Sequence, residues 1–425
     1  MLPKDALGAE APGSGPEIFL TTEAGSSRIL FAPTARLADL ADPGRTVVVT
    51  DGVVRRCVSS AYPAGRIVEV PRGEAAKNLA CLEAVYRRFL ELRVGRDWTV
   101  LALGGGSVSD LAGFAASTWL RGVDFGFAPT TVLAMVDASV GGKNGIDFGG
   151  YKNLVGSFRL PRFVLIDPAV LKTLPARQAA SGLVEAVKHA VIEGSEHLNL
   201  LAASIPIRPA GIPFSLPSDP AVLAEILERS IRLKARIVAA DFRESGDRRK
   251  LNLGHTAGHA VEAVTGLPHG ECVAAGLAFA LGLAVRRGGS EETTRRILDL
   301  LSRLGVPRSL EEARLAALGE RAWRDRRVGS GTVYSGTEPE RASVSGGADS
   351  AAASGPAYGQ LRADLGDPGV LEDPEAFRKA VARALGTDKK RDGGTVLFAL
   401  PRDPGSVEIV PIELAELEAY VQEAP

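Results

Sequence analysis

Apolar positions follow two regimes along the chain. The first half alternates short apolar runs with amphipathic stretches. "RTVVVTDG" reads as a buried strand ending in a turn, and "RIVEVP" as a second strand. "EAAKNLACLEAVYRRFLELR" has helical period, and "WTVLALGGGSVSDLAGFAASTWL" reads as strand, glycine loop and helix. "FGFAPTT" and "RFVLIDP" supply further strands. Strands separated by helices of this length predict βαβ units and a mostly parallel sheet. From about Ala176 the pattern turns helical, in "ARQAASGLVEAVKHAVIEG", "DPAVLAEILERSIRLKARIVAADFR", "GHTAGHAVEAVTG" and "GECVAAGLAFALGLAVRRG". Strand signals return only at "GTVLFALP". The expected organisation is an α/β domain over 1–176 and a mainly helical domain over 177–425. Within the second, 203–220 is rich in proline, and 329–360 is rich in Gly, Ser and Ala with few large apolar groups. The latter cannot bury enough surface to offset its ordering entropy, which predicts a flexible insertion.

Composition narrows the function classes. The chain has 425 residues, 45% hydrophobic and 24% charged, enough apolar material for a sizeable core. A formal net charge of −1 gives no general attraction to nucleic acid or to an acidic membrane surface. Cys57, Cys81 and Cys272 are scattered and form no CxxC, which fits a reducing compartment. The first fifteen residues lack the apolar core of a secretion signal, and no run of about 18 apolar residues suggests a membrane span. The expectation is a cytoplasmic protein with neither a membrane nor a nucleic-acid partner.

Four features carry candidate chemistry. In "LALGGGSVSDLAG" a strand runs into Gly104, Gly105 and Gly106 before a helix, a geometry that lets phosphate approach backbone N–H groups. It is not the GxGxxG fingerprint, and a plain tight turn explains it equally. In "GLVEAVKHAVI" the helix is apolar nearly all round, yet Glu185, Lys188 and His189 share one stripe. Buried charges need partners or a metal, and a solvent-facing polar stripe is the alternative. The third feature is "NLGHTAGHAVEAVTGLPHGE", Asn252 to Glu271, which holds three of the five histidines. His255 and His259 are i, i+4 on one helical face, and His269 follows a turn. Such spacing suits a metal or catalytic site; two histidines and a carboxylate leave positions open for substrate. Glu185 is the candidate carboxylate. The fourth feature is cationic: Arg121, Lys143, Lys152, Lys188, Lys234, Arg248 and Lys250 lie close to glycines or to the histidines. A glycine-rich stretch with two lysines, "VDASVGGKNGIDFGGYKNLVG", suits a phosphate or carboxylate.

Six separated motifs, in order over about 45–310, resemble the 3-dehydroquinate synthase family of sugar phosphate cyclases. They are "ALGGGSVSDLAGFAASTWLRG", "PTTVLAMVDASVGGKNGID", "YKNLVGSF", "LIDPAVLKTLPARQAASGLVEAVKHA", "LNLGHTAGHAVE" and "HGECVAAGL". "TDKKRDGGTVLFALP" is similar to the family's C-terminal segment. The resemblance implies a Rossmann-like nucleotide-binding domain, an all-α metal-binding domain, and an active site in the cleft between them. It implies a homodimeric lyase of the shikimate pathway that uses NAD and Zn2+ or Co2+. The substrate would be 3-deoxy-D-arabino-heptulosonate 7-phosphate, converted to 3-dehydroquinate and phosphate with NAD regenerated at each turnover.

Carried over residue by residue, the resemblance implies Glu185, His255 and His269 as metal ligands. NAD would meet Asp51, Glu74, Lys77, Gly105, Gly106, Asp110, Thr130, Thr131, Lys143 and Lys152. Substrate would meet Arg121, Asp137, Lys143, Asn153, Lys188, Lys234, Arg248, Asn252 and His259, with Lys389 or Lys390 closing late. Catalytic roles would fall to Lys143, Lys188, Glu244, Arg248, Asn252 and His259. Two departures stand out: Tyr151 replaces the glycine that often precedes the Lys-Asn pair, and "DGVV" at 51–54 lacks the family's asparagine. An amino-analogue cyclase would share nearly all these motifs. An alcohol or glycerol dehydrogenase of the same arrangement would release NADH and would not need the Lys152–Asn153 pair or Arg248. A metal-binding scaffold without turnover would not need the intact set of cations.

Overall fold

A computed structural model describes residues 15–57, 62–149, 151–207, 212–329, 369–387 and 394–424. Residues 330–360 of the expected insertion, together with Lys389 and Lys390, lie outside the described residues. The chain forms two compact units, Met1–Leu251 and Asn252–Pro425.

The first unit is built on a seven-stranded sheet in the order β1-β2-β9-β6-β5-β3-β4. Its strands are β1 Glu17–Thr22, β2 Gly25–Phe31, β3 Thr46–Asp51, β4 Ile67–Val70, β5 Thr99–Gly104, β6 Asp124–Pro129 and β9 Phe163–Ile166. Only β1 runs antiparallel, against β2; every other pair is parallel. All residues of β3 and β5 are buried, as expected of central parallel strands covered on both faces. The β1–β2 hairpin was not expected from the sequence. Ile18 and Leu20 point inward but Phe19 between them is exposed, so burial alternates where polarity does not, and the turn "EAGSS" dilutes the pattern further.

The helices are α1 Leu79–Glu91, α2 Gly106–Thr118, α3 Ala176–Glu193, α4 Ser195–Ser204 and α5 Pro220–Ala240. Asn78 caps α1, its side chain accepting from Cys81 N (2.9 Å), and Asp219 caps α5 through Ala221 N (2.9 Å). The change from alternating elements to helices falls at Ala176, the boundary expected from periodicity. The compact division falls later, after Leu251, because α5 packs on β1 and α3 packs on α5. A second hairpin, β7 Lys143–Phe148 with β8 Tyr151–Phe158, lies beside α2. Its glycines hid it from periodicity. Those glycines are needed: a Cβ on Gly156 would sit 2.2 Å from the Asn144 carbonyl oxygen.

The second unit contains α6 His255–Thr265, α7 His269–Arg286, α8 Glu291–Leu304, α9 Leu310–Gly329, α10 Pro374–Thr387 and α11 Leu414–Glu423. The antiparallel pair β10 Thr395–Asp403 and β11 Ser406–Glu413 packs on α7 through β10. Among the described residues α7 alone has the length and composition of a membrane span. Most of it is buried inside its own unit, as in a core helix. It packs against α6 with almost no side chain between them. A Cβ on Gly276 would lie 2.0 Å from Gly254 O, and one on Gly258 would lie 3.0 Å from Cys272 O.

Candidate active site

The sheet reverses its winding at β3. The chain steps from β3 to β4 on one side, then places β5 on the other. The carboxyl ends of β3 and β5 flank this switch point, where open α/β sheets bind ligands. Asp51 ends β3 and Gly104 ends β5. Gly105 caps α2, so the first N–H groups of that helix lie at the switch point. Gly104 has no room for a side chain, since a Cβ would meet Val108 at 2.8 Å. Thr130 N donates to Gly104 O (2.9 Å), which brings Thr130 and Thr131 to the same edge. The Asp51 carboxylate accepts from Val53 N and Val54 N (2.9 and 3.1 Å), so it caps the turn that follows.

Lys77 is buried beside this loop. Its ammonium donates to Asp110 Oδ2 (2.8 Å) and to the Asn153 side-chain oxygen. Burial alone would lower its pKa, but the carboxylates of Asp110 and Glu74 outweigh that and raise it. Lys77 is therefore a fixed cation at neutral pH. Glu74 lies 3.8 Å from Lys152 Nζ, and Ser107 Oγ donates to it at 3.4 Å. The hairpin carrying Lys152 and Asn153 is held to α2 at Gly113, where a Cβ would lie 2.0 Å from Asn144 Oδ1. The Asn144 amide in turn donates to Gly142 O and Arg159 O (3.1 and 2.9 Å).

A second cluster in the first unit gathers Asp137, Glu185, Lys188, His189, Lys234 and Arg248. Asp137 sits on a π-helical turn, Ala134–Ala138. It accepts from Lys234 Nζ through both its carboxylate and its carbonyl, each at 2.6 Å. Burial would raise the Asp137 pKa, but Lys234 and Lys188 hold it well below the usual carboxylate range. Burial pushes Lys234 down to about 8, against the pull of Asp137 and with help from Lys188 and Arg248. Glu185, fully buried on α3, is ion-paired with the buried Lys188 one turn on. Burial and then Lys188 push His189 down to about 3, so its imidazole is neutral.

Arg248, only 3% exposed, donates to the carbonyls of Phe242 and Gly141 (2.5 and 3.0 Å). Lys143 pairs with Glu244. Arg121, Asn153 and Glu244 all have positive φ, at 67°, 53° and 62°. Such backbone strain in non-glycine residues clusters at functional sites. Arg121 lies on an exposed turn after α2; among the described residues no hydrogen bond or ion pair joins it to the other candidates.

The second unit brings His255, His259 and His269 together. Ring centroids lie 5.3 Å apart for His255–His259 and His255–His269, and 5.8 Å for His259–His269. The cause is the glycine contact between α6 and α7. His255 Nδ1 lies 3.2 Å from Leu253 O, and His269 Nδ1 lies 3.3 Å from Glu262 Oε2. An Nδ1–H donated to such an oxygen sets the tautomer in which Nε2 carries the lone pair. The donor chemistry thus fits zinc or cobalt. His259, Glu262 and His269 also have ligand atoms within 4.8 Å of one another. Glu262 was missed from the sequence. Its signal was its position seven residues after His255 on the same helical face. Asn252 ends the short 3-10 helix Asp247–Asn252 that begins beside Arg248.

A switch point with a glycine-capped helix, an internal cluster of cations and a histidine group suit a dinucleotide- and metal-dependent enzyme. The fold is that of 2-deoxy-scyllo-inosose synthase, solved with carbaglucose-6-phosphate, NAD+ and Co2+ (TM-score 0.71, 20% identity, 96% of this chain and 100% of that one). It is likewise similar to 2-epi-5-epi-valiolone synthase from Streptomyces hygroscopicus subsp. jinggangensis 5008, solved with NAD+ and Zn2+ (TM-score 0.67, 25% identity, 93% and 95%). Residues 67–181 match the 3-dehydroquinate synthase N-terminal model and 182–328 the C-terminal one. A 3-dehydroquinate synthase of Picosynechococcus sp. is 45% identical over 284 residues, 65% of this chain and 76% of that protein. One of Synechococcus sp. is 42% identical over 310 residues, 70% and 83%. The chain belongs to the 3-dehydroquinate synthase family.

Proposed function

We propose that the chain converts 3-deoxy-D-arabino-heptulosonate 7-phosphate to 3-dehydroquinate and phosphate, a step of the shikimate pathway. The observation that carries this is the internal gathering of Lys188, Lys234 and Arg248 around one ionised carboxylate, Asp137. That gathering offers several cationic donors to an anionic substrate, with Asp137, Glu185, Glu244 and Asp241 as their counter-charges. A dehydrogenase acting on a neutral alcohol has no use for it. Arg248, held by two carbonyls, presents its remaining N–H groups to the substrate carboxylate. Asp137 and Lys234 orient hydroxyls, and the Lys143–Glu244 pair handles protons beside them. Asn252 and His259 complete the substrate contacts. Lys77, Asp110, Lys152 and the N-terminus of α2 hold the dinucleotide. The metal ligands are Glu185, His255 and His269, as the family motifs imply. A cation held by these residues would supply polarisation of the oxygen to be oxidised, and NAD held at the switch point would supply reversible hydride transfer.

Replacing Glu185, His255 or His269 by Ala is expected to abolish metal retention and turnover. Near-normal metal content in all three variants contradicts the ligand set. A homodimer, implied by the same resemblance, predicts twice the chain mass in sedimentation; a single chain mass contradicts it.

A further inference from the structure

The segment joining α5 to the short helix at Asp247 carries Glu244 and Arg248, yet it has little apolar material of its own. Phe242 is its one buried apolar side chain, packed edge-on against Phe158 with ring centroids 5.8 Å apart. Ser245, Gly246 and Asp247 are exposed. Something other than packing must hold Glu244 at its positive φ and aim Arg248 inward.

We propose that Asp241 is a positioning residue for the reaction, its carboxylate clasping this loop so that Glu244 and Arg248 are fixed together. Oδ1 accepts from Ser245 N (2.9 Å) and Ser245 Oγ (3.1 Å). Oδ2 accepts from Gly246 N (2.7 Å) and Arg248 N (3.0 Å). Four donors converge on one side chain. Burial would raise its pKa, but the hydrogen bonds from Gly246, Ser245 and Arg248 together bring it down to about 2. The clasp therefore stays charged at any working pH. Arg248 is gripped twice, by Asp241 on its backbone and by the Phe242 and Gly141 carbonyls on its guanidinium. Glu244 lies between the two ends of the clasp, its own N–H only 3.5 Å from Asp241 O. Asp241 itself ends α5, its N–H donating to Ile237 O (3.0 Å), so the clasp is anchored on a long helix.

The inference rests on the substrate role proposed for Arg248 and Glu244. Asp241→Asn is not conservative here. A carboxamide has one accepting oxygen, so its NH2 group faces N–H donors whichever way it is turned. Asp241→Asn and Asp241→Ala should both raise KM for the sugar phosphate by roughly ten-fold or more, the loss of about one charge-assisted hydrogen bond. Affinity for NAD should not change. In an Arg248→Ala background the Asp241→Ala effect on KM should largely vanish, because the two act as one unit. Amide hydrogen exchange at Ser245, Gly246 and Arg248 should accelerate in Asp241→Ala without substrate present. Unchanged protection at those amides overturns the clasp. Fully additive effects of Asp241→Ala and Arg248→Ala on KM overturn its positioning role. If Arg248→Ala alone leaves KM unchanged while exchange accelerates as expected, the substrate role of Arg248 fails, and with it the catalytic part of the proposal.

Discussion

Gly276→Ala adds one methyl group where α6 and α7 meet backbone to backbone. The new Cβ would lie 2.0 Å from Gly254 O, 2.5 Å from Gly258 N and 2.9 Å from Gly258 Cα. All three neighbours are backbone atoms, so no rotamer change relieves the contact. The helices must part by about 1 Å, at the upper end of the ~1–3 kcal/mol typical of overpacking. For a unit of this size, ~3 kcal/mol corresponds to a fall in Tm of ~6–12 °C. The functional effect should be sharper. His255 rides on α6 and His269 begins α7, so parting the helices separates two proposed ligands. Metal sites tolerate ligand distances only within about 0.2 Å, so affinity should collapse. The assay pairs thermal unfolding of metal-free protein with zinc affinity from chelator competition. Gly319→Ala is the control. Beyond the backbone of its own helix, no heavy atom lies within 4 Å of its new Cβ. It should stabilise α9 by ~0.5–1 kcal/mol and leave the metal alone. Wild-type Tm and zinc affinity in Gly276→Ala would refute the reasoning.

Three further outcomes follow from the geometry. Lys77→Met leaves Asp110 without its cation, which should cost ~3–5 kcal/mol of stability and weaken NAD binding; a wild-type unfolding midpoint contradicts this. Glu262→Ala should lower zinc affinity by ~10–100-fold through loss of the acceptor on His269 Nδ1. An unchanged affinity removes Glu262 from the account, and a loss as complete as in His269→Ala makes it a ligand. Lys234 gives the pH dependence. Its folded pKa, about 8, lies below the unfolded value of ~10.4, so the unfolded chain binds the extra proton between the two. Stability from this group therefore rises with pH across that window. The stability difference between wild type and Lys234→Met, measured in metal-free protein, should shift in favour of the wild type from pH 8 to 10.5; a flat difference contradicts the assignment.

The sequence carried most of the sheet because β3 and β5 are buried on both faces and read as unbroken apolar runs. Helices α1, α2, α3, α5, α6 and α7 were legible as long apolar or amphipathic runs, whereas α4 and α8 to α11 were not read individually. The β1–β2 and β7–β8 hairpins were not legible, since small and polar residues interrupt their alternation. The candidate site divides the same way. Glu185 and the histidines were visible by residue type and spacing. Asp241 and Glu262 were not, because a loop clasp and a ring-orienting carboxylate are ordinary acids until the backbone shows what they accept. The positive φ of Arg121 and Glu244 is a property of the fold that neither residue advertises. The glycines at 254, 258 and 276 drew no reading from the sequence, and the structure shows that they bring two helices into contact.

The most direct test of the central claim is a single assay on the full chain. The protein is mixed with 3-deoxy-D-arabino-heptulosonate 7-phosphate, a trace of NAD, and zinc or cobalt, while phosphate and NADH are followed together. The account predicts phosphate far in excess of the NAD supplied, with no lasting NADH. No phosphate, or NADH rising one for one with product, contradicts it.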